Sequence, residues 1–161
     1  MKQIALLFMM ALAFQACQSG SDSTTEDTRQ QTVETNEFTR IEDGPINSFT
    51  VVPNQYRNCK AVFAQSEDEL ASGNYILATD LDKSCVIAID GRIVEVDIRS
   101  KQVANPTSQF YKYEGNGYRI DLEIRQTEIV AHDLKKVRAQ LRIFSDSGFR
   151  DIFYIMGEIE C

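Results

Sequence analysis

The sequence contains little of the chemistry on which most enzymes depend. It has one histidine in 161 residues, His132, and no serine or cysteine stands beside it. Asp133 is adjacent and could orient the imidazole, but neighbouring side chains of an extended segment point to opposite sides. We therefore predict that His132 is a solvent-exposed loop residue, that the protein is not an enzyme and that it needs no cofactor.

Three kinds of binding site are also missing from the sequence. Lys and Arg number 17 against 24 Asp and Glu, which gives a net charge of −7, so nucleic-acid binding is not expected. The stretch Gly115-Asn-Gly117 lacks the third glycine and the following helix of a phosphate-binding loop. Asp80 and Asp82 alternate as at the start of a calcium loop, but the glycine and distal glutamate of that loop are absent. We interpret them as part of a polar turn and predict no metal site.

No apolar run is long enough to cross a bilayer, but the amino terminus carries a shorter one. Lys2 precedes the uncharged stretch Ile4 to Phe14, about 11 residues, whereas a spanning helix needs about 20. That length is typical of the hydrophobic part of a secretory signal. After Cys17 the composition changes abruptly to Gln, Ser, Gly, Asp and Thr.

A short signal that ends in a small residue, here Ala16, followed by cysteine resembles the signal peptide of bacterial lipoproteins. The resemblance implies that residues 1–16 are removed and that Cys17 carries a diacylglyceryl group and an amino-terminal acyl chain such as palmitate. Two or three acyl chains, at about 0.8 kcal/mol per buried methylene, would hold the protein durably on a membrane. We therefore expect a lipid anchor in the outer membrane, on its periplasmic or surface face. The alternative is an ordinary signal peptide cut near Ala13 or Ala16.

Residues 17–45 have the composition of a tether. After Cys17 they hold seven acidic residues against two arginines and almost nothing apolar. Such a stretch cannot bury enough surface to offset the entropy of ordering, so we predict disorder and a span of roughly 30 Å. The domain would then be residues 46–161, which is enough for one core.

Alternation of apolar and polar residues dominates the domain. It predicts strands over residues 85–89, 93–98, 109–113, 118–125, 137–143 and 149–159. Asp90-Gly91 is typical of a tight hairpin turn. One capping box, Ser66 to Glu69, predicts a short helix that ends at Gly73. Strands joined by short turns indicate an all-β fold, an antiparallel sandwich or small barrel of about 7–8 strands. Because residues 152–156 are apolar on both faces, we place the last strand centrally.

Three cysteines remain if Cys17 is lipidated. Cys85 lies on an apolar strand face and is predicted to be buried. We favour a Cys59–Cys161 disulfide over other arrangements, which closes a loop of about 100 residues and contributes up to roughly 4.7 kcal/mol. Asn58 to Phe63 and Tyr154 to Cys161 resemble small uncharacterised bacterial lipoproteins that pair a first-strand cysteine with a C-terminal one. This resemblance supports the disulfide and the β fold and implies no function.

Aromatic residues give the best indication of function. Tyr111, Tyr113 and Tyr118, together with Phe110, flank one loop, and exposed tyrosines suit binding to protein or glycan. These tyrosines are a candidate binding surface, although we expect core packing for at least two of the four aromatic residues. The first hypothesis is therefore a non-enzymatic binding module for another envelope or host protein. By analogy of fold, one form of it is an inhibitor of lysozyme-like enzymes.

Two other hypotheses stay open. One is an accessory subunit of an envelope assembly. The other is a carboxylate-based hydrolase of wall or glycan, for which Glu158 and Glu160, on one side of the last strand, are the candidate pair. A solvated strand face is the alternative interpretation of those two glutamates.

Overall fold

A computed structural model describes residues 39–40, 45–56, 59–105 and 107–161. The predicted signal peptide, Cys17 and most of the predicted tether lie outside these residues, and the predictions made for them stay predictions. The predicted disorder is wrong at residues 39–40, which pair with residues 47–48 of the domain.

The described residues form an eight-stranded antiparallel barrel with a small two-stranded ladder beside it. The ladder joins β1 (Thr39–Arg40) to β2 (Asn47–Ser48). The barrel strands are β3 (Lys60–Ala64), β4 (Leu77–Thr79), β5 (Ser84–Ile89), β6 (Arg92–Asn105), β7 (Ser108–Gly115), β8 (Tyr118–Ile129), β9 (Leu134–Ser145) and β10 (Arg150–Glu160). A 3-10 turn (Asn54–Tyr56) precedes β3, and the helix α1 (Glu67–Ala71) connects β3 to β4. The all-β prediction is confirmed, and of its two alternatives the fold is the barrel.

The hairpin turns follow from their residues. Asp90 and Gly91 have φ angles of 51° and 71°, and Asn116 and Gly117 have 51° and 80°. Two consecutive positive φ angles give a turn whose twist matches that of the flanking strands, and Asn, Asp and Gly tolerate them best. The sequence therefore fixes the β5–β6 and β7–β8 connections locally.

The helix α1 is short because a capping residue fixes its start and a glycine with positive φ fixes its end. The hydroxyl of Ser66 accepts a hydrogen bond from the Glu69 N–H at 3.2 Å, and the Glu69 carboxylate accepts one from the Gln65 N–H at 3.1 Å. Gly73 has a φ of 74° and takes the chain out of the helix. The capping-box prediction is confirmed.

The barrel interior is filled by side chains. Inward positions alternate with outward ones along β7, β8 and β9, and the inward set is apolar or aromatic. An eight-stranded barrel is just wide enough for side chains to fill it. Cys85 belongs to this core and is fully buried, as predicted, and burial raises the pKa of its thiol well above the ordinary value. A buried protonated thiol is chemically inert.

A second apolar cluster lies on the outside of β3, β4 and β5. Residues of the segment 46–56 and of α1 cover these strands, so the strands are buried on both faces. The cluster consists of Phe49, Tyr56, Val62, Ala64, Leu70, Ala78, Val86 and Ala88. Phe49 and Tyr75 exchange backbone hydrogen bonds of 2.7 and 2.8 Å, which hold the segment against the barrel. We call this outer surface of β3–β5 the covered face.

The predicted Cys59–Cys161 disulfide is present. It connects the residue before β3 to the residue after β10, and these two strands pair with Lys60 opposite Glu160. The covalent bond therefore clamps the strand pair that closes the barrel. Since the closed loop is long, the bond removes much entropy from the unfolded chain.

Candidate functional site

The predicted tyrosine surface is largely inside the barrel. Tyr113 is fully buried and Tyr111 nearly so, with their rings stacked at 6.5 Å between centroids. Tyr118 is half-buried and packs against the same core. The candidate binding surface at Tyr111 and Tyr113 is therefore wrong, and the expected core packing of at least two of these aromatic residues is confirmed. The outward positions of β7 hold Lys112, and the tyrosines take the inward positions beside it.

The hydroxyl of Tyr113 is a hydrogen-bond donor within this interior. The Thr79 hydroxyl donates its single proton to the Ser84 carbonyl at 2.7 Å. Its oxygen must therefore accept the 3.0 Å bond from Tyr113. Burial raises the pKa of Tyr113 well above the ordinary value, so the phenol keeps the proton that this bond requires.

The other sequence candidates lie apart from one another. His132 is 99% exposed in the β8–β9 turn, with Nδ1 3.3 Å from the Asp133 carboxylate, and is the loop residue that we predict. Asp80 accepts backbone N–H groups of residues 82, 83 and 84, which makes this segment the predicted polar turn. Across the part of the chain that the structure describes, no three metal-ligating side chains come together.

Glu158 and Glu160 do not form a paired site. Both project from the outer side of β10, but the Glu160 carboxylate pairs with Lys60 at 3.1 Å, on the β3 side. Glu158 instead lines a cavity on the β9 side together with Glu128. The register places Glu128, Lys136 and Glu158 next to one another on β8, β9 and β10. The cation lies between the two carboxylates, so this row suits recognition of charge better than acid–base chemistry.

A groove runs along the outer face of β8, β9 and β10. It consists of two cavities of about 280 and 300 Å³ that share Gln126, Arg138 and Met156. Leu70 of α1 forms one wall of the first cavity, and Tyr154 borders the second. We call the two cavities together the groove and the surface around it the bare face.

Apolar side chains of β10 line or flank the groove without a cover. Ile152 is 54% exposed and Tyr154 is 72% exposed, while Met156 is half-buried between the two cavities. The strand pairs with β9 on one side and with β3 on the other, as its central placement predicted. Its outward apolar residues nevertheless contact solvent, since none of the described segments lies over them.

Arginines surround the exposed tyrosine. Arg125 and Arg142 each donate to the Glu123 carboxylate, at 3.1 and 3.2 Å, and to the Gln140 side-chain oxygen, at 2.9 and 2.6 Å. Two acceptors thus fix two guanidinium groups in defined positions. Arg138 lies where the two cavities meet and forms no ion pair with any residue that the structure describes. Three arginines against one glutamate make the surface around Tyr154 locally cationic, whereas the first cavity has a mixed lining of Glu67, Glu128 and Glu158 with Lys136 and Arg138.

One buried carboxylate oxygen of the bare face accepts no hydrogen bond from any described residue. It is Oδ1 of Asp121, which lies between Lys112 and Arg142 in register and is 9% exposed. Arg142 is held by Glu123 and Gln140, and the Lys112 amine lies 5.4 Å from the Phe110 ring centroid. Both flanking cations are therefore engaged elsewhere, and an unsatisfied buried acceptor costs about 1–3 kcal/mol.

Comparison with known proteins gives no relative from which function could be transferred: no family model, no curated protein and no solved structure matches the chain. Among the described residues, no helix combines the length and the apolar composition needed to cross a membrane.

Proposed function

We propose that this protein is a lipid-anchored extracytoplasmic lipoprotein that binds another protein through the groove and catalyses no reaction. The observation that carries the proposal is Arg138, which forms no ion pair with any described residue and lies at the junction of two cavities with the exposed Tyr154. Arg and Tyr dominate binding energy in protein interfaces because they combine a large contact area with directional hydrogen bonds.

The second cavity of the groove favours acidic residues in a partner segment. Arg125 and Arg138 line it together with no carboxylate, and Met156, which both cavities share, offers an apolar contact. An extended segment with one apolar side chain flanked by acidic residues would satisfy both. A second copy of this chain is a poorer occupant, since each copy carries a net charge of −7 and the copies repel each other.

The membrane part of the proposal is supported by sequence. Cys17 follows a short apolar signal with Ala16 before it, and the segment after it is acidic and polar. Metabolic labelling with a fatty-acid probe should label the wild-type protein and leave Cys17→Ser unlabelled. A wild-type protein that stays unlabelled and keeps residues 1–16 would contradict the anchor and leave the groove untested by that result.

A charge reversal tests the groove itself. The lipidated protein and its Arg138→Glu variant are compared for capture of envelope proteins, identified by mass spectrometry. We expect one captured species to be reduced at least tenfold by Arg138→Glu, since a cation facing an acidic partner becomes a repulsive anion. Val103→Ser, which changes an exposed apolar residue on β6 outside the groove, is the matched control and should leave capture unchanged. If Arg138→Glu captures the same envelope proteins, in the same amounts, as the wild type and Val103→Ser, a role for the groove would be contradicted.

The row Glu128–Lys136–Glu158 supports a second candidate, a carboxylate-based hydrolase. Strands lie about 4.8 Å apart, so two carboxylate-bearing positions separated by one strand are about 10 Å apart, close to the spacing of inverting glycosidases. Turnover of wall or glycan substrates that disappears in both Glu128→Gln and Glu158→Gln would favour this candidate. A stable complex of fixed stoichiometry in the capture experiment would instead indicate an accessory subunit.

A further inference from the structure

A third cavity, of about 520 Å³, opens at the end of the barrel that carries the β7–β8 and β9–β10 turns. Arg99 of β6, Arg119 of β8 and Arg150 of β10 line it, and all three are exposed. We propose that this cavity binds a sugar that carries a carboxylate, separately from the groove.

The cations of the cavity are placed by strand register. Arg119 lies opposite Phe144, and Phe144 lies opposite Arg150, so the aromatic ring separates the two guanidinium groups. The guanidinium carbon of Arg119 is 4.0 Å from the centroid of the Phe144 ring. Stacking holds the guanidinium plane and leaves its N–H edges available to a planar oxyanion, which a carboxylate matches with two parallel hydrogen bonds.

The remaining cations are available to a ligand. Arg150 forms no ion pair within the described part of the chain. Arg99 pairs with Glu114 at 3.4 Å, with more than half of each side chain exposed. Such an exposed pair contributes little and is given up at low cost.

The acidic residues of the cavity narrow the class of ligand. Glu114 and Asp146 line the same space, so three cations meet two carboxylates and a small multivalent anion would be repelled by both. A monoanionic sugar satisfies the whole lining, because its carboxylate meets the arginines and its hydroxyls donate to Glu114 and Asp146. The turn glycines Gly117 and Gly148 add room, since a Cβ atom at Gly148 would have no atom within 4 Å.

The test uses the lipidated full chain in detergent, titrated with the monosaccharide galacturonate, which carries one carboxylate, and followed by amide NMR shifts and calorimetry. We expect shifts at the amides of Gly117, Phe144 and Gly148, and no binding of galactose, the carboxyl-reduced neutral counterpart, or of inorganic phosphate. Arg119→Ala and Arg150→Ala should each weaken binding at least tenfold, because each removes a charge-assisted hydrogen bond.

Arg138→Ala, in the groove, is the matched control and should bind galacturonate as the wild type does. Equal binding of galactose or of inorganic phosphate would overturn the proposal, as would shifts confined to other parts of the barrel or no binding at all. Loss of sugar binding in Arg119→Ala supports the proposal only if its amide spectrum is otherwise that of the native fold. Arg150→Ala, at an exposed side chain, is a second variant that tests the same site. Failure here leaves the protein-binding groove standing, since that proposal depends on Arg138.

Discussion

The covered face and the bare face of the barrel differ in the size and polarity of their outward side chains. On the covered face the outward residues are small, with Ala64, Ala78 and Ala88 among them, and the segment 46–56 and α1 pack directly on the strands. On the bare face the outward residues of β8 and β9 are long and polar. Small outward side chains let a second layer approach closely, whereas long charged ones keep the surface in water.

Strand β10 joins the two faces and follows neither rule. It pairs with β3 of the covered face and with β9 of the bare face, but its outward residues Ile152 and Tyr154 are apolar or aromatic and uncovered. Large apolar side chains that contribute little to folding while they contact water are typical of a surface that a partner covers. This contrast is the physical basis of the proposed groove.

The largest expected effect compares one aromatic residue from each face. Phe49→Ala removes a fully buried ring of the covering segment and should lower the free energy of unfolding by about 3–5 kcal/mol. Tyr154→Ala removes an exposed ring and should change it by no more than about 0.5 kcal/mol. Denaturant unfolding of the two variants measures both values. A large loss in Tyr154→Ala would mean that Tyr154 is part of the core and would remove the argument for a binding surface.

A second prediction concerns the boundary between the faces. A Cβ atom at Gly157 would lie 2.5 Å from Phe63 Cδ1 and 2.9 Å from the Val62 carbonyl oxygen. Gly157→Ala should therefore lower the free energy of unfolding by about 1–3 kcal/mol, because backbone as well as side chain must move. Gly148→Ala, at a turn with open space but positive φ, is a useful comparison, since its cost is conformational only. A neutral Gly157→Ala would show that β10 sits farther from β3 than described.

A third prediction is that one substitution on the bare face raises the free energy of unfolding. Asp121→Val on the bare face removes a buried carboxylate oxygen without a partner and should raise the free energy of unfolding by about 1 kcal/mol. Valine also suits a strand position. Asp97→Val, at an exposed outward position of β6, is the control for strand propensity. If Asp121→Val destabilises the protein, the carboxylate has a favourable interaction with Lys112 or Arg142.

The smallest expected effect is a loss of stability at high pH. Burial raises the pKa values of Tyr56, Tyr111 and Tyr113 in the folded protein. The unfolded chain loses these protons near pH 10 and the folded chain holds them, so stability is constant below about pH 10 and falls above it. Tyr113→Phe should make this alkaline loss shallower, which unfolding curves between pH 9 and 11 would measure. An unchanged slope would indicate that the Tyr113 hydroxyl ionises without cost in the fold.

Local chemistry determines more of this fold than of its site. The turns at Asp90-Gly91 and Asn116-Gly117 and the cap at Ser66 depend on neighbouring residues, so the sequence alone predicts them. Closure is a long-range event, since β3 meets β10 about a hundred residues later in the chain, and only the cysteines at their ends indicated it. The choice between sandwich and barrel therefore needed the structure.

The groove could not be predicted from sequence because it depends on strand register. Arg138, Tyr154 and Met156 become neighbours only through the pairing of β9 with β10, and α1 adds a wall from elsewhere in the chain. The alternation around Lys112 did contain the information that Tyr111 and Tyr113 share one side, but not which side was the core. The outward apolar residues of β10, next to charged outward residues of β9, were the one sequence signal of the groove.

The most direct test of the account is photocrosslinking in living cells from a probe at position 154. A matched probe at position 68, on the exposed side of α1 above the covered face, is the comparison. We expect the probe at 154 to crosslink to a segment of another protein that carries acidic residues beside an apolar one, and Arg138→Glu to abolish this product. Crosslinks of equal yield and identity from positions 154 and 68, or a product at 154 that Arg138→Glu does not reduce, would contradict this expectation.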